Sequence, residues 1–238
     1  MPQQLILELQ PPPAPSLDNF IGGRNTAAVQ ALHECGPGKA VYLWGPPGVG
    51  RSHLLRAIAL DRNGLYVDAR VSAAALAPIV QDDTIVHALI AIDNVQTLTD
   101  SGQAALFALY NRWRESSAST RGFCLVLAGD QAPVVMPVRE DLRTRLGWDL
   151  VFRLEPLSDE ERVQALQNQA SARGLDLSQE VIAWVLTHYS RDMSHLSALL
   201  DALDRYSIEK HRAITVPLLK DLLAKQSSPD ANRSYDRS

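Results

Sequence analysis

Residues 45–52 read GPPGVGRS, a glycine-rich loop that lies between two apolar segments. The segment before it, AVYLW at 40–44, is short and apolar as a buried strand is, and HLLRAIAL at 53–60 continues with helical spacing. Strand, glycine loop and helix in this order are the context of a P-loop, whose backbone N–H groups and helix dipole face a bound phosphate. A chance glycine turn is the alternative. The sequence therefore predicts a nucleotide-binding loop made of Gly45, Pro46, Pro47, Gly48, Val49, Gly50, Arg51, Ser52 and His53.

Arg51 stands where a P-loop normally carries lysine. A guanidinium keeps the positive charge, but it is larger and planar, whereas the lysine ammonium is a compact charge that reaches the β- and γ-phosphates. Ser52, which we expect to open the following helix, supplies the hydroxyl that holds Mg²⁺ in such loops. This substitution favours a site that binds nucleotide and hydrolyses it inefficiently.

The apolar segment HALIAIDN at 87–94 predicts a second buried strand, which ends at Asp93 and Asn94. An aspartate in this position holds Mg²⁺ in P-loop ATPases, so Ser52 and Asp93 are the candidate metal ligands. In many of these enzymes the next residue is acidic and activates the attacking water, but Asn94 cannot accept a proton at neutral pH. A turn is the alternative, because Asp-Asn suits turns. Asn94, like Arg51, therefore indicates a site that binds nucleotide and hydrolyses it inefficiently.

Strands and helices alternate up to Pro156, and only helices follow. This pattern predicts an α/β fold, a P-loop parallel sheet core with helices on both faces, followed by a small all-helical domain. Strands are expected at 40–44, 64–69, 87–93, 123–129 and 149–154, and helices at about 25–35, 52–60, 71–80, 101–117, 158–174, 178–189, 192–209 and 216–225. The predicted division is a tail and tether at 1–15, a nucleotide-binding domain at 16–156, a helical domain at 157–225 and a disordered tail at 226–238.

Composition narrows the classes of function. The 238 residues are 46% hydrophobic with a net charge of −4 and a pI near 5.9, so bulk charge gives no attraction to DNA. No apolar stretch approaches the length of a membrane span, and the first residues do not form a signal peptide. Cys35 and Cys124 lie far apart in sequence without metal-ligand spacing, which favours small core residues in a reducing compartment. We expect a cytoplasmic protein.

The first residues differ from the rest of the chain. QLILEL at 4–9 is a short apolar cluster, and prolines at 11, 12, 13 and 15 follow it. Such prolines favour an extended, solvated tether, so the cluster is typical of a docking motif. An edge strand packed on its own domain is the alternative.

The chain resembles the AAA+ ATPases, within them the replication-initiator (DnaA) branch, and within that branch the Hda regulators that inactivate DnaA. LWGPPGVGRSHLL and IDN are the most specific matches, because Hda proteins themselves carry arginine and asparagine there. The other matching stretches occur in the same order between Leu17 and Leu223: LDNFIGG, ALYNR, LAGD, DLRTRLGW, PLSDEE and ITVPLLKDLL. The resemblance implies an AAA+ core with a helical lid.

The same resemblance assigns roles to individual residues. It places Phe20 and Ile21 at the adenine pocket and Asp130 at the sensor-1 position near the γ-phosphate. It places Arg145 at the arginine finger, which points into a neighbouring subunit's nucleotide. The alternatives are core positions for Phe20 and Ile21, a strand-ending turn for Asp130, and a surface arginine at Arg145.

Two features depart from the family pattern. Hda proteins begin with a motif that binds the replicative sliding clamp, and this chain matches it at Gln4, Leu5, Leu7 and Leu9, with Glu8 in place of the usual proline. In the lid, Ser194 occupies the place of the sensor-2 arginine, and Arg191 or His195 is the candidate substitute.

The function that the resemblance implies is negative regulation of replication initiation. The chain would hold ADP or ATP, with Mg²⁺ left open, and would be associated with the nucleoid through the clamp. It would supply Arg145 in trans to ATP-bound DnaA, so hydrolysis would occur in the partner, and a homodimer is left open. No basic recognition helix follows the lid, so we expect no sequence-specific DNA binding. An autonomous ATPase of the helicase-loader type and a nucleotide-independent adaptor are the alternatives.

Overall fold

The computed structural model describes residues 14–72, 76, 87–117, 122–189, 193–210 and 212–226. The chain divides between Ser158 and Asp159 into two compact units, and each is described here by itself. The predicted clamp motif and the predicted disordered tail beyond residue 226 lie outside the described residues. Within the described ranges, no helix combines the length and the apolar composition that crossing a membrane requires.

The first unit is built on a five-stranded sheet in which every pairing is parallel. The strand order is β2-β3-β4-β1-β5, so the strand before the glycine loop lies between the last two strands of the chain. The strands are β1 (Ala40–Trp44), β2 (Leu65–Asp68), β3 (Leu89–Asp93), β4 (Cys124–Gly129) and β5 (Leu150–Arg153). The central strands are buried on both faces, which explains why they are almost continuously apolar in sequence. The predicted α/β fold with its five strands is confirmed.

Helices cover both faces of this sheet. They are α1 (Thr26–His33), α2 (Arg51–Asp61), α3 (Ala69–Ser72), α4 (Asp100–Ser116) and α5 (Glu140–Leu146), with 3₁₀ turns at Gly23–Asn25, Val95–Thr97 and Pro133–Val135. Successive strand residues point to opposite faces of the sheet, and each face has its own hydrophobic core. Tyr42 belongs to one core with Leu106 and Leu142, and Leu43 belongs to the other with Leu32 and Leu54.

Three helices differ from their predictions. Helix α2 begins at Arg51 rather than at Ser52, because the left-handed Gly50 is its N-cap. Helix α3 begins at Ala69, and most of the predicted 71–80 helix lies outside the described residues. Helix α5 was not predicted, since its 7 residues are too few to establish an apolar period.

The second unit is all helical, as predicted. It contains α6 (Asp159–Ala172), α7 (Gln179–His188), α8 (Met193–Lys210) and α9 (Val216–Gln226). Its own core includes Leu166, Val185, Leu203 and Leu219. The Ser178 hydroxyl caps α7 by accepting from the Val181 N–H at 3.3 Å.

The two cysteines are joined as a disulfide, so the prediction of small core cysteines kept reduced was wrong about their state. Both are buried as expected, at 2% and 1% exposure. The fold brings Cys35, just after α1, against Cys124 at the start of β4, with a Cα–Cα distance of 6.3 Å across a sequence separation of 89. Sequence separation therefore gave no indication of their distance in space.

We expect reduction of this disulfide to lower the free energy of unfolding by about 2–4 kcal/mol, because the bond restricts the unfolded chain. Thiol titration in denaturant should find no free thiol before reduction. Chemical denaturation with and without reductant measures the change in stability, and Cys35→Ser is the control that reductant should leave unchanged. Two free thiols in protein purified without reductant would contradict the pairing.

Candidate nucleotide site

The glycine loop follows β1 and closes tightly against its own unit. Gly50 has φ +95, and a Cβ there would lie 2.5 Å from Cε2 of Phe20. Gly45 is approached from the other side, since a Cβ there would lie 2.6 Å from the carbonyl oxygen of Leu154. Both positions therefore require glycine for space, and Gly50 also requires it for its backbone conformation.

Two polar atoms near this loop are buried without a hydrogen-bond partner among the described residues: Nη1 of Arg51 and Oδ1 of Asp130. Arg51 opens α2, and Asp130 follows β4, which pairs with β1 through Gly129 and Trp44. A buried guanidinium nitrogen without an acceptor fits an anionic ligand, because such a group is costly to leave unpaired. The loop chemistry therefore fits a phosphate group.

The Tyr42 hydroxyl lies close to both of these charged groups. Burial raises its pKa above the ordinary value, the Asp130 carboxylate raises it further, and Arg51 acts in the opposite direction. Tyr42 therefore stays protonated and donates to the carbonyl oxygen of Gln131 at 2.8 Å. This bond fixes the chain just beyond the predicted sensor-1 residue.

Asp93, at the end of β3, is 1% exposed, and each of its two oxygens accepts one hydrogen bond. Its Oδ2 accepts from the Tyr66 hydroxyl at 3.0 Å, and its Oδ1 accepts from the Asn94 N–H at 2.8 Å. Burial raises the pKa of Tyr66, and the Asp93 charge raises it further, so Tyr66 remains a donor. Tyr66 was missed from sequence, although the parallel register of β2 and β3 brings their carboxyl ends together.

Asn94 takes part in both the turn and the site. It has a left-handed backbone with φ 57, which asparagine tolerates, and its Nδ2 donates to Oδ1 of Asp68 at 2.9 Å. Hydrogen bonds from Arg70 lower the pKa of Asp68 to about 2, so this carboxylate is ionised and is also an unpredicted part of the cluster. The side chain of Asn94 is thus committed to a structural bond and has no basic atom for water activation.

The described residues contain no cluster of three or more histidine, cysteine, aspartate or glutamate side chains that would hold a metal by itself. A Mg²⁺ ion at this site would depend on the Ser52 hydroxyl, the Asp93 carboxylate and the oxygens of a bound phosphate.

The segment before α1 packs onto the loop. Phe20 lies against Gly50 and also packs on the core beside Leu54, so it contacts the loop and the core at once. Its ring centroid lies 5.7 Å from that of His53, whose Nε2 donates to the carbonyl oxygen of Ser16 at 3.0 Å. Ile21 is half-buried in the same segment.

Burial lowers the pKa of His53, against the raising effect of its bond to Ser16. A lowered folded-state pKa means that His53 contributes stability above the unfolded value of about 6.5 and that this contribution is lost as the pH falls. We therefore expect the free energy of unfolding to decrease between about pH 7 and pH 5. His53→Gln keeps a donor for Ser16 and should flatten this dependence, whereas the exposed His33→Gln control should not. Equal pH profiles for the wild type and both variants would contradict this role of His53.

Arg145, the predicted finger, lies at the end of α5 and is half-buried rather than free at the surface. Its Nη1 donates to the carbonyl oxygen of Phe107 at 3.2 Å and also to Oδ1 of Asn111. The guanidinium carbon lies 3.5 Å from the Phe107 ring centroid and 5.0 Å from that of Trp148. Burial lowers the pKa of Arg145, but an arginine stays charged at neutral pH. These contacts join distant sequence positions and were not predicted.

Arg143, on the same helix, makes no comparable contact among the described residues. The sensor-2 predictions fall in the lid: His195 lies on α8, while Arg191 and the side chain of Ser194 lie outside what the structure describes.

Comparison with known proteins found a family model that matches the second unit and solved structures with a similar fold. Residues 159–223 match the family model of the Hda lid domain. Domain III of the replication initiation protein DnaA of Thermotoga maritima is similar in structure, with a TM-score of 0.73 and 20% identity over 90% of this chain and 97% of that chain. AMPPCP-bound DnaA from Aquifex aeolicus has a TM-score of 0.68 and 20% identity over 90% of this chain and 70% of that chain. The Holliday junction branch migration motor RuvB of T. maritima has a TM-score of 0.66 and 19% identity over 90% and 72%.

The second unit therefore carries a lid that matches the Hda family model, and the fold of the chain is similar to that of DnaA domain III. The predicted family resemblance and fold class are confirmed.

Proposed function

We propose that this chain is a negative regulator of replication initiation, which holds an adenine nucleotide, is tethered to the sliding clamp and stimulates ATP hydrolysis by DnaA in trans. The observation that carries the proposal is an Hda-type lid at 159–223 joined to a DnaA-like AAA+ core. Arg51 in the P-loop and Asn94 after β3 support the part of the proposal in which this chain hydrolyses nucleotide inefficiently.

The nucleotide would be held by the loop at 45–52 and by the segment that packs on it. Backbone N–H groups of the loop and the unpartnered Nη1 of Arg51 would bind the phosphates. Phe20 and Ile21 would flank the adenine, and Asp130 would face the terminal phosphate region. The phosphates of bound ADP or ATP would supply the anionic acceptor that Nη1 of Arg51 lacks. AMPPCP-bound DnaA relatives support an adenine nucleotide.

This chain's own turnover would be slow for two reasons. Asn94 cannot accept a proton, and its amide is bonded to Asp68. Asp93 accepts hydrogen bonds from Tyr66 and from the Asn94 N–H and would act as the Mg²⁺ ligand rather than as a base for water. The group that we propose to act is Arg145, whose planar guanidinium would stabilise the charge that develops on the phosphoryl group in DnaA's site.

The first residues of the chain would bind it to the sliding clamp. Gln4, Leu5, Leu7 and Leu9 form the proposed clamp-binding motif, and the prolines after it form the tether. A cytoplasmic protein bound in this way would be concentrated at the nucleoid wherever clamps are loaded on DNA. A homodimer is compatible with this proposal and is not required by it.

One experiment tests the proposal as a whole. The hydrolysis of ATP bound to DnaA is timed with this protein and DNA-loaded clamp, and then with each omitted in turn. We expect fast hydrolysis only when all are present, and deletion of residues 1–10 should act like omission of the clamp while nucleotide binding is retained. Steady ATP turnover by this chain alone would instead support the autonomous ATPase. Failure to bind ATP or ADP would support the adaptor.

A further inference from the structure

Asn25 is one of the few polar side chains in the described core, at 3% exposure. Its side-chain amide both donates a hydrogen bond to one distant residue and accepts one from it. Its Nδ2 donates to the carbonyl oxygen of Glu155 at 3.0 Å, and its Oδ1 accepts from the Glu155 N–H at 2.7 Å. The two residues are separated by 130 positions. The Asn25 side chain thus gives the N–H and C=O of Glu155 the hydrogen bonds that a neighbouring strand would otherwise give them.

Glu155 belongs to the connector at 154–158, which follows β5 and ends where the lid unit begins. Leu154, the residue before Glu155, is bonded to the strand that precedes the P-loop: its N–H donates to the carbonyl oxygen of Trp44, at the end of β1, at 2.7 Å. The Leu154 carbonyl oxygen also occupies the space where Gly45 lacks a side chain. The start of the connector therefore touches the first glycine of the P-loop on one side and Asn25 on the other.

Asn25 also belongs to the segment that packs on the other end of the P-loop. Its N–H donates to the Gly22 carbonyl oxygen at 2.7 Å, and Phe20, shortly before it, lies against Gly50. The segment from Phe20 to Asn25 thus extends from the last glycine of the loop to the connector. A ligand that orders Phe20 would order Asn25 through this short stretch of backbone.

We propose that Asn25 is a positioning residue that couples nucleotide occupancy of the P-loop to the connector at 154–158. The proposal rests on the proposed nucleotide site. Nucleotide on the loop stabilises the segment that carries Phe20, and the paired hydrogen bonds of Asn25 transmit that order to Glu155. The connector then holds one conformation where the chain leaves for the lid.

Hydrogen exchange at the connector tests this directly. In the full-length wild-type chain, saturating ADP should slow exchange of the Glu155 amide, and of the peptide at 154–158, by about tenfold, since this amide opens only when the Asn25 bond breaks. In Asn25→Ala the same peptide should exchange faster and should no longer respond to ADP. Asn25→Asp keeps the acceptor for the Glu155 N–H but loses the donor, so it should recover part of the response.

Asn19→Ala is the matched control, because the Asn19 amide also binds backbone in this segment but stays within residues 14–19, and it should leave the response intact. If ADP binds the wild type without slowing exchange at 154–158, or if Asn25→Ala responds as the wild type does, the coupling is refuted while the proposed function stands. If ADP does not bind the wild type, the proposed nucleotide site fails first. A variant that is merely less stable but still responds to ADP assigns Asn25 a structural role only.

Discussion

Replacing Arg145 with alanine is expected to reduce the stimulation of DnaA's ATP hydrolysis by about 10³–10⁵-fold, the range measured for arginine fingers that act in trans. The guanidinium would stabilise charge that exists fully only in the transition state, so its loss should slow the reaction more than it weakens assembly. Single-turnover hydrolysis of preformed DnaA–ATP, with clamp present, measures the effect. Nucleotide and clamp binding by the variant should remain.

The control variants separate catalysis from folding. Because Arg145 stacks on Phe107, its removal should cost about 0.5–2 kcal/mol of stability, which a thermal melt will detect but which does not unfold the protein. Arg145→Lys should recover little activity, since a point charge cannot span two phosphate oxygens. Arg143→Ala should retain activity. If Arg143→Ala abolishes stimulation and Arg145→Ala does not, the finger has been assigned to the wrong residue.

Replacing Gly50 with alanine is expected to abolish stabilisation by nucleotide. Wild-type protein at a nucleotide concentration of 100 Kd should gain about 2.7 kcal/mol. In the variant the new Cβ would lie 2.5 Å from the Phe20 ring, and alanine would have to adopt the positive φ of Gly50. The loop and the segment that carries Phe20 must therefore both move. Thermal melts with and without ADP measure the loss.

Gly174→Ala is the control for backbone strain. Gly174 also has a positive φ, +70, but a Cβ there would meet nothing within 4 Å. Both variants should lose stability without ligand, while only Gly50→Ala should lose the response to ADP. An unchanged ADP response in Gly50→Ala would mean that the loop is not the nucleotide site.

The features that sequence predicted were local ones. The glycine loop between AVYLW and the helix at 51–61, and the strand that ends at Asp93, each occupy a single short stretch with a distinct periodicity. Their physical basis is also local, because burial on both faces makes a parallel strand apolar along its length. The five strands and the helical lid could therefore be predicted without any knowledge of their packing.

The features that sequence missed depend on tertiary contacts. Tyr66 reaches Asp93 only because β2 and β3 are neighbours, and Cys35 reaches Cys124 only because α1 ends beside β4. No spacing rule along the chain encodes either distance. For Arg145, the motif indicated a position and a proposed role, but the stacking on Phe107 required the packing of α5 on α4.

The stacked arrangement around Arg145 also provides an optical reporter. Trp148 is 43% exposed, and its indole ring lies 5.0 Å from the guanidinium carbon of Arg145 and 4.7 Å from that of Arg114. Indole emission depends on nearby charge and on contact with water. Any event that draws Arg145 away from this ring will therefore change the fluorescence of Trp148. A chain in which Trp44, Trp113 and Trp184 are replaced by phenylalanine would report such movement of Arg145 in real time, without a label.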